Sequence, residues 1–170
     1  MTARFAPSPS GRMHLGNIYS ALLSWLSARK QNGRWILRIE DLDPQRCKRE
    51  YAIQLEEDLH WLGLEWDEGG IEHPEYVQSQ RGAIYQEHLD ILKDKGLTYP
   101  CYCSRADILA TQAPHESDGR IVYQGTCRPD GTAAKVQQIA TKAQSCHHNP
   151  AIRLIVPDRD IVFTDGHYGR

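Results

Sequence analysis

The residues with the most chemical promise fall in three places. The tetrad His14-Leu15-Gly16-Asn17 lies between a short extended segment and an amphipathic helix. A helix start there presents free N–H groups and the positive end of the helix dipole, which suits a triphosphate. Gly16 would let a nucleotide approach the backbone, and His14 could donate to phosphate oxygens as charge builds on them. The plainer alternative is a half-buried helix start followed by a turn. Upstream, Arg4, Ala6 and Ser8 share one side of the extended segment, because strand side chains alternate. Glu40 closes a second apolar strand and would meet them at the same sheet edge. Arg4 can take a carboxylate bidentately and Glu40 an ammonium. The two could equally bridge each other across neighbouring strand ends. The third place is Cys101-Tyr102-Cys103, followed by Tyr123 and Cys127 in the pattern Cys-x-Cys-x19-Tyr-x3-Cys. Two sulfurs on one face of an extended segment could bind one ion, and zinc prefers four tetrahedral ligands, often thiolates. On spacing alone the fourth ligand is open, with His115 the first choice and Tyr123 an unusual one, since its phenol must lose a proton.

The elements that position these groups can be read from periodicity. Arg4-Phe5-Ala6-Pro7-Ser8-Pro9 reads as extended, and Ser10-Gly11 as a turn. Ile18, Ala21, Leu22, Trp25 and Leu26 recur at helical spacing, predicting a helix from about Asn17 to Lys30. Trp35–Glu40 reads as a buried strand. Asp43-Pro44 looks like an N-cap with proline at the first helical position, opening a helix that buries Ala52, Leu55, Leu59 and Leu62 and stops at Gly63. Strand, helix, strand, helix with short connections marks a parallel α/β sheet.

Beyond residue 70 the spacing predicts a helix over Ser79–Lys95, with Ile84, Tyr85, Leu89 and Leu92 inward. An extended Leu97–Cys103 follows, then a short helix opened by Ser104 with Asp107 at the capping-box position. Residues 113–132 read as a loop and Ala133–Ala143 as a helix. Ile152–Val156 and Ile161–Phe163 read as a β-hairpin around Pro157-Asp158-Arg159. There is no internal repeat. The chain stops at Arg170 without a closing element, which suggests a truncated domain with one uncovered sheet edge.

The chain has 170 residues and a formal net charge of −2, with 40% apolar and 25% charged residues. That is an ordinary globular composition. No apolar run approaches the ~20 residues of a membrane span, and no signal pattern opens the chain. Without a basic block, a nucleic-acid partner would be recognised by shape and local contacts. Five cysteines, an odd number, disfavour a disulfide framework, and the expected compartment is the cytoplasm. Cys47 and Cys146 have no partner pattern and read as plain thiols.

Three motifs in order, Arg4–Gly11, Met13–Asn17 and Leu37–Arg46, resemble the glutamyl branch of class I aminoacyl-tRNA synthetases. His14–Asn17 matches the HIGH motif of that class. The likeness continues through Gln78-Ser79-Gln80-Arg81 and the Cys-x-Cys region. Within the branch, Leu42–Arg46 and Tyr123–Cys127 are most similar to the glutamyl-Q tRNA(Asp) synthetase family. The resemblance implies a Rossmann-like α/β catalytic domain carrying an inserted zinc-containing subdomain. Residues 1–83 would be the first half of the nucleotide-binding domain, and 84–170 the inserted acceptor-binding-like part, incomplete at its end. The returning strands and the KMSKS-type loop do not occur before Arg170, so a fragment of a longer enzyme is expected.

The resemblance also implies site residues. L-glutamate would be held by Arg4, Phe5, Ala6, Pro7, Ser8 and Glu40. ATP, with Mg²⁺, would lie against Pro7, Ser8, Pro9, His14, Leu15, Gly16 and Asn17, with His14, Gly16 and Asn17 catalytic. One structural zinc would sit on Cys101, Cys103, Tyr123 and Cys127. Asp41, Asp43 and Arg46 are lesser candidates, Asp43 being accounted for as a helix cap. The implied reaction is tRNA-independent activation of glutamate to its adenylate, then transfer to queuosine, the modified wobble base of tRNA(Asp), by a monomer. Three rivals compete with it: an ordinary glutamyl-tRNA synthetase front end charging tRNA(Glu), a small nucleotidyltransferase acting on another acid, and a non-catalytic zinc-stabilised RNA-binding module.

Overall fold

The first strand, β1 (Thr2–Phe5), begins the parallel alternation that the sequence predicts. The structure is a computed structural model that describes residues 1–110, 123–166, 168 and 169. Two compact units divide the chain, Met1–Glu87 and His88–Arg170. In the first, α1 (Leu15–Lys30), β2 (Arg34–Leu37), α2 (Arg49–Trp61) and β3 (Glu68–Gly69) follow β1. The three strands form a parallel sheet in the order β1-β2-β3, with Phe5 opposite Leu37 and Leu37 opposite Gly69. Two 3₁₀ turns, Pro74–Tyr76 and Gln78–Arg81, lead into α3 (Gly82–Asp94).

The core of this unit is built from Phe5, Trp35, Leu37 and Ile39 of the sheet side, Ala21 and Ala28 of α1, and Ala52, Leu55 and Leu59 of α2. Removing such side chains from water is the main stabilising term, about 1.5–3 kcal/mol for each large one. The Phe5 and Trp35 rings stack, with centroids 6.1 Å apart. On α1 the inward face differs from the predicted one. Leu22 and Leu26 are exposed, whereas Ala21 and Ala28 are fully buried. Small residues let the helix come close to the sheet, and Ser24 Oγ then accepts a 2.9 Å bond from Trp35 Nε1. Leu62 and Ile84 are likewise exposed rather than inward. Leu62 lies beyond the last helical residue, at the cap position of α2.

Two further expectations are corrected. β2 ends at Leu37, not at Glu40, although Ile39 keeps an isolated bridge to Val77. Asp43 does not cap α2: its carboxylate accepts from Gln45 N and Arg46 N and pairs with Arg46 Nε at 2.6 Å. That closes a local turn, and α2 starts only at Arg49, with Lys48 at the cap position and no side-chain cap bond. Gly69, at φ +97°, is required where β3 meets β2, because a Cβ there would fall 1.9 Å from the Leu37 carbonyl oxygen.

In the second unit, β4 (Thr98–Cys101), α4 (Arg105–Ala110), α5 (Ala133–Ser145) and β5 (Ala151–Leu154) are the regular elements among the described residues. Ser104 and Asp107 form the predicted capping box, with bonds of 2.7 and 3.1 Å. The expected hairpin is replaced by a longer-range pairing. β5 runs antiparallel to β4, with Tyr99 opposite Arg153 and Cys101 opposite Ala151, and Ile161–Phe163 lies outside any strand. Pro157 cannot donate to a local ladder, while β4 offers a partner that buries Tyr99 and Cys101. Among the described residues the core here is small: Tyr99, Cys101 and Cys127 are buried, with Tyr102, Cys103, Tyr123 and Ile155 against them. Among the described residues, no helix is long and apolar enough to cross a membrane.

Candidate active site and metal centre

α1 begins three residues after Arg12, and its first turn is closed by a reciprocal pair. His14 is the N-cap, with extended backbone, and its Nδ1 accepts from Gly16 N at 3.1 Å. In return Asn17 Oδ1 accepts from His14 N at 3.2 Å. This is a capping box made of histidine and asparagine, satisfying helix N–H groups that would otherwise lack partners. It also fixes the imidazole. With Nδ1 accepting, the neutral ring carries its proton on Nε2. Gly16 has a second reason to be glycine beyond ligand access: a Cβ there would lie 3.0 Å from His14 Cε1.

A pocket of about 420 Å³ opens at this helix start, lined among others by Pro7, Ser8, His14 and Asn17. Those four predicted residues are therefore brought together. Leu15 and Gly16 are exposed beside them on the first turn of α1. Pro9 is fully buried, and its carbonyl accepts from Lys48 N. Phe5 contributes its ring to the core, its carbonyl accepts from Arg38 N, and it is not among the residues lining the pocket.

Glu40 reaches the same edge. Its N–H donates to Pro7 O at 3.0 Å, immediately beside the pocket. Its carboxylate is paired with Arg38, Nε to Oε1 3.7 Å, rather than with Arg4. Arg4 is exposed and, among the described residues, enters no ion pair. The bridge between Arg4 and Glu40 that the sequence left open does not form. Arg38 was not singled out in the sequence. The signal was there, since positions 38 and 40 share a face in an extended run. Arg38 Nη2 also donates to the Tyr85 hydroxyl at 2.8 Å. Cys47 Sγ lies 3.9 Å from the Glu40 carbonyl oxygen, and Cys146 Sγ 3.2 Å from that of His148, so both are free thiols.

The second cluster is metal-like. The sulfurs of Cys101, Cys103 and Cys127 all lie within 4.8 Å of one another, with Cys103 and Cys127 3.7 Å apart. Tetrahedral thiolates on zinc at ~2.3 Å would be about 3.8 Å apart, so the spacing fits. The Tyr123 hydroxyl is 3.3 Å from Cys101 Sγ and accepts from Cys127 N at 2.8 Å. Tyr123 is therefore at hand as the fourth ligand, and His115 lies outside the described residues. Arg153 on β5 stacks its guanidinium 3.9 Å from the Tyr123 ring centroid. Burial pushes the Cys101 thiol up, but the Tyr123 hydroxyl, the Cys103 backbone and Arg153 outweigh it and bring it to about 7. Burial and the neighbouring sulfurs of Cys127 and Cys101 push Cys103 up to about 11. Nothing in the sequence pointed to Arg153; only the β4–β5 pairing brings it there.

A parallel α/β sheet with a histidine-capped helix at the carboxyl end of its first strand is the catalytic-domain fold of class I tRNA synthetases. The family described as tRNA synthetases class I (E and Q), catalytic domain, matches residues 1–170, and the chain belongs to it. Two relatives named Glutamyl-Q tRNA(Asp) synthetase are similar to it. The one from Symbiobacterium thermophilum is 46% identical over 97% of this chain and 51% of its own length. The one from Nitratidesulfovibrio vulgaris is 43% identical over 98% and 51%. Glutamate--tRNA ligase 2 of Acidithiobacillus ferrooxidans is 40% identical over 99% of the chain and 36% of its own length. A crystal structure of a glutamate tRNA ligase from Elizabethkingia meningosepticum in complex with its amino acid superposes with a TM-score of 0.72. It shares 29% identity and covers 99% of this chain and 35% of that one. The chain spans about half the length of the glutamyl-Q relatives it matches.

Proposed function

We propose that this chain is the ATP- and glutamate-binding part of a glutamyl-Q tRNA(Asp) synthetase. The reaction would begin with attack of the α-carboxylate of L-glutamate on the α-phosphate of ATP, forming glutamyl-adenylate and releasing pyrophosphate. A hydroxyl of queuosine at the wobble position of tRNA(Asp) would then take the glutamyl group and release AMP. The observation that carries this reading is the reciprocal cap of His14 and Asn17 in one pocket with Pro7 and Ser8, beside Glu40. It is joined by 46% identity to a relative of that name.

The roles in this reading are as follows. The Nε2–H of His14 and the positive end of the α1 dipole would bind phosphate oxygens and stabilise charge on them as the α-phosphate is attacked. Arg4 would take a carboxylate of glutamate and Glu40 its ammonium, with Ser8 adding a neutral bond. On binding, the ammonium would replace Arg38 as the partner of Glu40. Mg²⁺ bound with ATP would supply counter-charge. Cys101, Cys103, Cys127 and Tyr123 would hold one zinc, which would tie together a unit whose core is small. That unit would be the inserted acceptor-binding part, and the work would be done by positioning and charge rather than by a protein nucleophile.

The other reading with support is an ordinary glutamyl-tRNA synthetase, since relatives named Glutamate--tRNA ligase match at 40–42% identity. Labelled glutamate and ATP, offered to the full-length protein with tRNA from queuosine-making and queuosine-lacking cells, separates the two. Label on queuosine-containing tRNA alone is the expected result. Equal label on both would establish terminal charging and overturn the proposal.

A further inference from the structure

The backbone beyond β2 continues between two neighbours after the regular ladder has stopped. On one side Arg38 N donates to Phe5 O and Glu40 N to Pro7 O, at 2.9 and 3.0 Å. On the other side Ile39 N donates to Tyr76 O and Gln78 N to Ile39 O, at 2.9 and 2.8 Å. Glu40 thus lies at the end of a three-segment arrangement with no strand to continue it. The next residue, Asp41, closes a two-point clasp on Ser79. Its Oδ1 accepts from Ser79 N at 2.8 Å, and its Oδ2 accepts from the Ser79 hydroxyl at 2.7 Å.

We infer that Asp41, through Ser79, is a positioning residue that sets the direction of the Glu40 carboxylate for the substrate ammonium. The inference rests on the glutamate-binding reading of Glu40. Asp41 is covalently next to Glu40, so rotation about that peptide would swing both side chains. Ser79 is the second residue of the 3₁₀ turn Gln78–Arg81, which directly follows the Ile39–Val77 bridge. The clasp therefore fixes the chain on the far side of Glu40, as the Pro7 carbonyl fixes it on the near side. Asp41 itself lines a different cavity, of about 310 Å³, with Ile39, Cys47, Val77 and Gln80. Both of its carboxylate oxygens are taken up by Ser79, so its contribution comes through the backbone and not through contact with the substrate.

Two bonds from one carboxylate, one of them to a main-chain N–H, form the kind of charge-assisted pair whose loss is felt when the group it holds must be placed to within a fraction of an ångström. The test measures glutamate-dependent pyrophosphate exchange by the full-length protein, with separate KM values for glutamate and ATP. Asp41→Ala is expected to raise the glutamate KM about tenfold and leave the ATP KM within about twofold. Ser79→Ala, which keeps the main-chain bond, should raise it about threefold. The double variant should match Asp41→Ala alone, because both act through one contact. Asp41→Asn can still accept from Ser79 N and donate to the hydroxyl, and should restore near-normal glutamate KM. An unchanged glutamate KM in Asp41→Ala, or an equal rise in both KM values, overturns the inference. Should Asp41→Ala fail to fold, Ser79→Ala carries the test by the same two criteria. Glu40→Gln separates the underlying reading: if it leaves glutamate KM unchanged, the site assignment itself falls and takes the inference with it. If Glu40→Gln loses glutamate binding while Asp41→Ala keeps it, only the positioning role falls.

Discussion

The imidazole of His14 rests against Gly16, with Nδ1 3.1 Å from the Gly16 amide and Cε1 placed 3.0 Å from where a Cβ on that glycine would be. Glycine at this position is thus what lets the histidine cap its own helix. Alanine there is the better helix former, by about 1 kcal/mol, and Gly16 is not among the positive-φ glycines, so its backbone is open to alanine. Stability and activity should therefore part in Gly16→Ala. The melting temperature is expected to change little, because loss of the His14 cap offsets the gain in helix propensity, while the displaced imidazole loses its aim at phosphate. By analogy with loss of one preorganised donor, kcat for pyrophosphate exchange should fall about 100-fold. A variant that keeps kcat would show that the ring tolerates displacement.

How this site reads from sequence alone depends on distance along the chain. The helix after the first strand was legible, because it rests on a local run of apolar periodicity. The cap itself was not, since His-x-x-Asn is outside the usual Ser/Thr/Asp/Asn and Glu/Gln pattern. Asp43 was misread for the opposite reason: a favourable cap residue followed by proline built a separate turn, six residues before α2. The pairing of β4 with β5 joins residues some fifty positions apart, which no local pattern reports. Arg153 becomes visible only through that pairing, and the contact of Ser79 with Asp41 only through the fold, although Ser79 itself stands in the Gln78–Arg81 motif.

Arg4 offers a clean separation of binding from folding. Its side chain is exposed and carries no ion pair among the described residues, so Arg4→Ala should leave the melting temperature unchanged within error. Arg4→Lys keeps the charge but loses the planar fork that grips a carboxylate at two points. Both are expected to raise glutamate KM, by about tenfold or more for alanine and less for lysine, with ATP KM unmoved. Equal KM for all three proteins would remove Arg4 from the substrate site.

The cysteine cluster makes a prediction about folding as well as composition. The full-length protein should carry one zinc by elemental analysis, lost in Cys101→Ser and Cys127→Ser. Chelation is expected to release it and to loosen the second unit, because few side chains there are buried: Tyr99, Cys101 and Cys127. Proteolysis within that unit should accelerate on metal removal while the β1–β2–β3 unit stays resistant. Tyr123→Phe should bind zinc more weakly than the parent and more strongly than either cysteine variant. Full affinity in Tyr123→Phe would reassign the fourth ligand.

Asp67 joins three elements of the first unit, and its charge gives that junction a pH dependence of known sign. Its carboxylate accepts from Trp35 N at 2.7 Å and from Arg29 Nη1 at 2.7 and 3.0 Å, tying α1 to β2 and to the segment entering β3. The Trp35 amide first, then the Arg29 guanidinium, hold its pKa below the usual carboxylate range. A depressed folded-state pKa means the unfolded chain binds the proton more readily. The stabilisation is therefore complete above the unfolded value, about 3.9, and is lost as pH falls through the lower folded value. Because the side chain is 37% exposed, solvent screening limits the effect to about 1 kcal/mol or less. Asp67→Asn should lower the urea midpoint at pH 7 and flatten its dependence below about pH 4. Parallel curves for the two proteins across that range would show that the junction is held by packing of Trp35 and not by the charge.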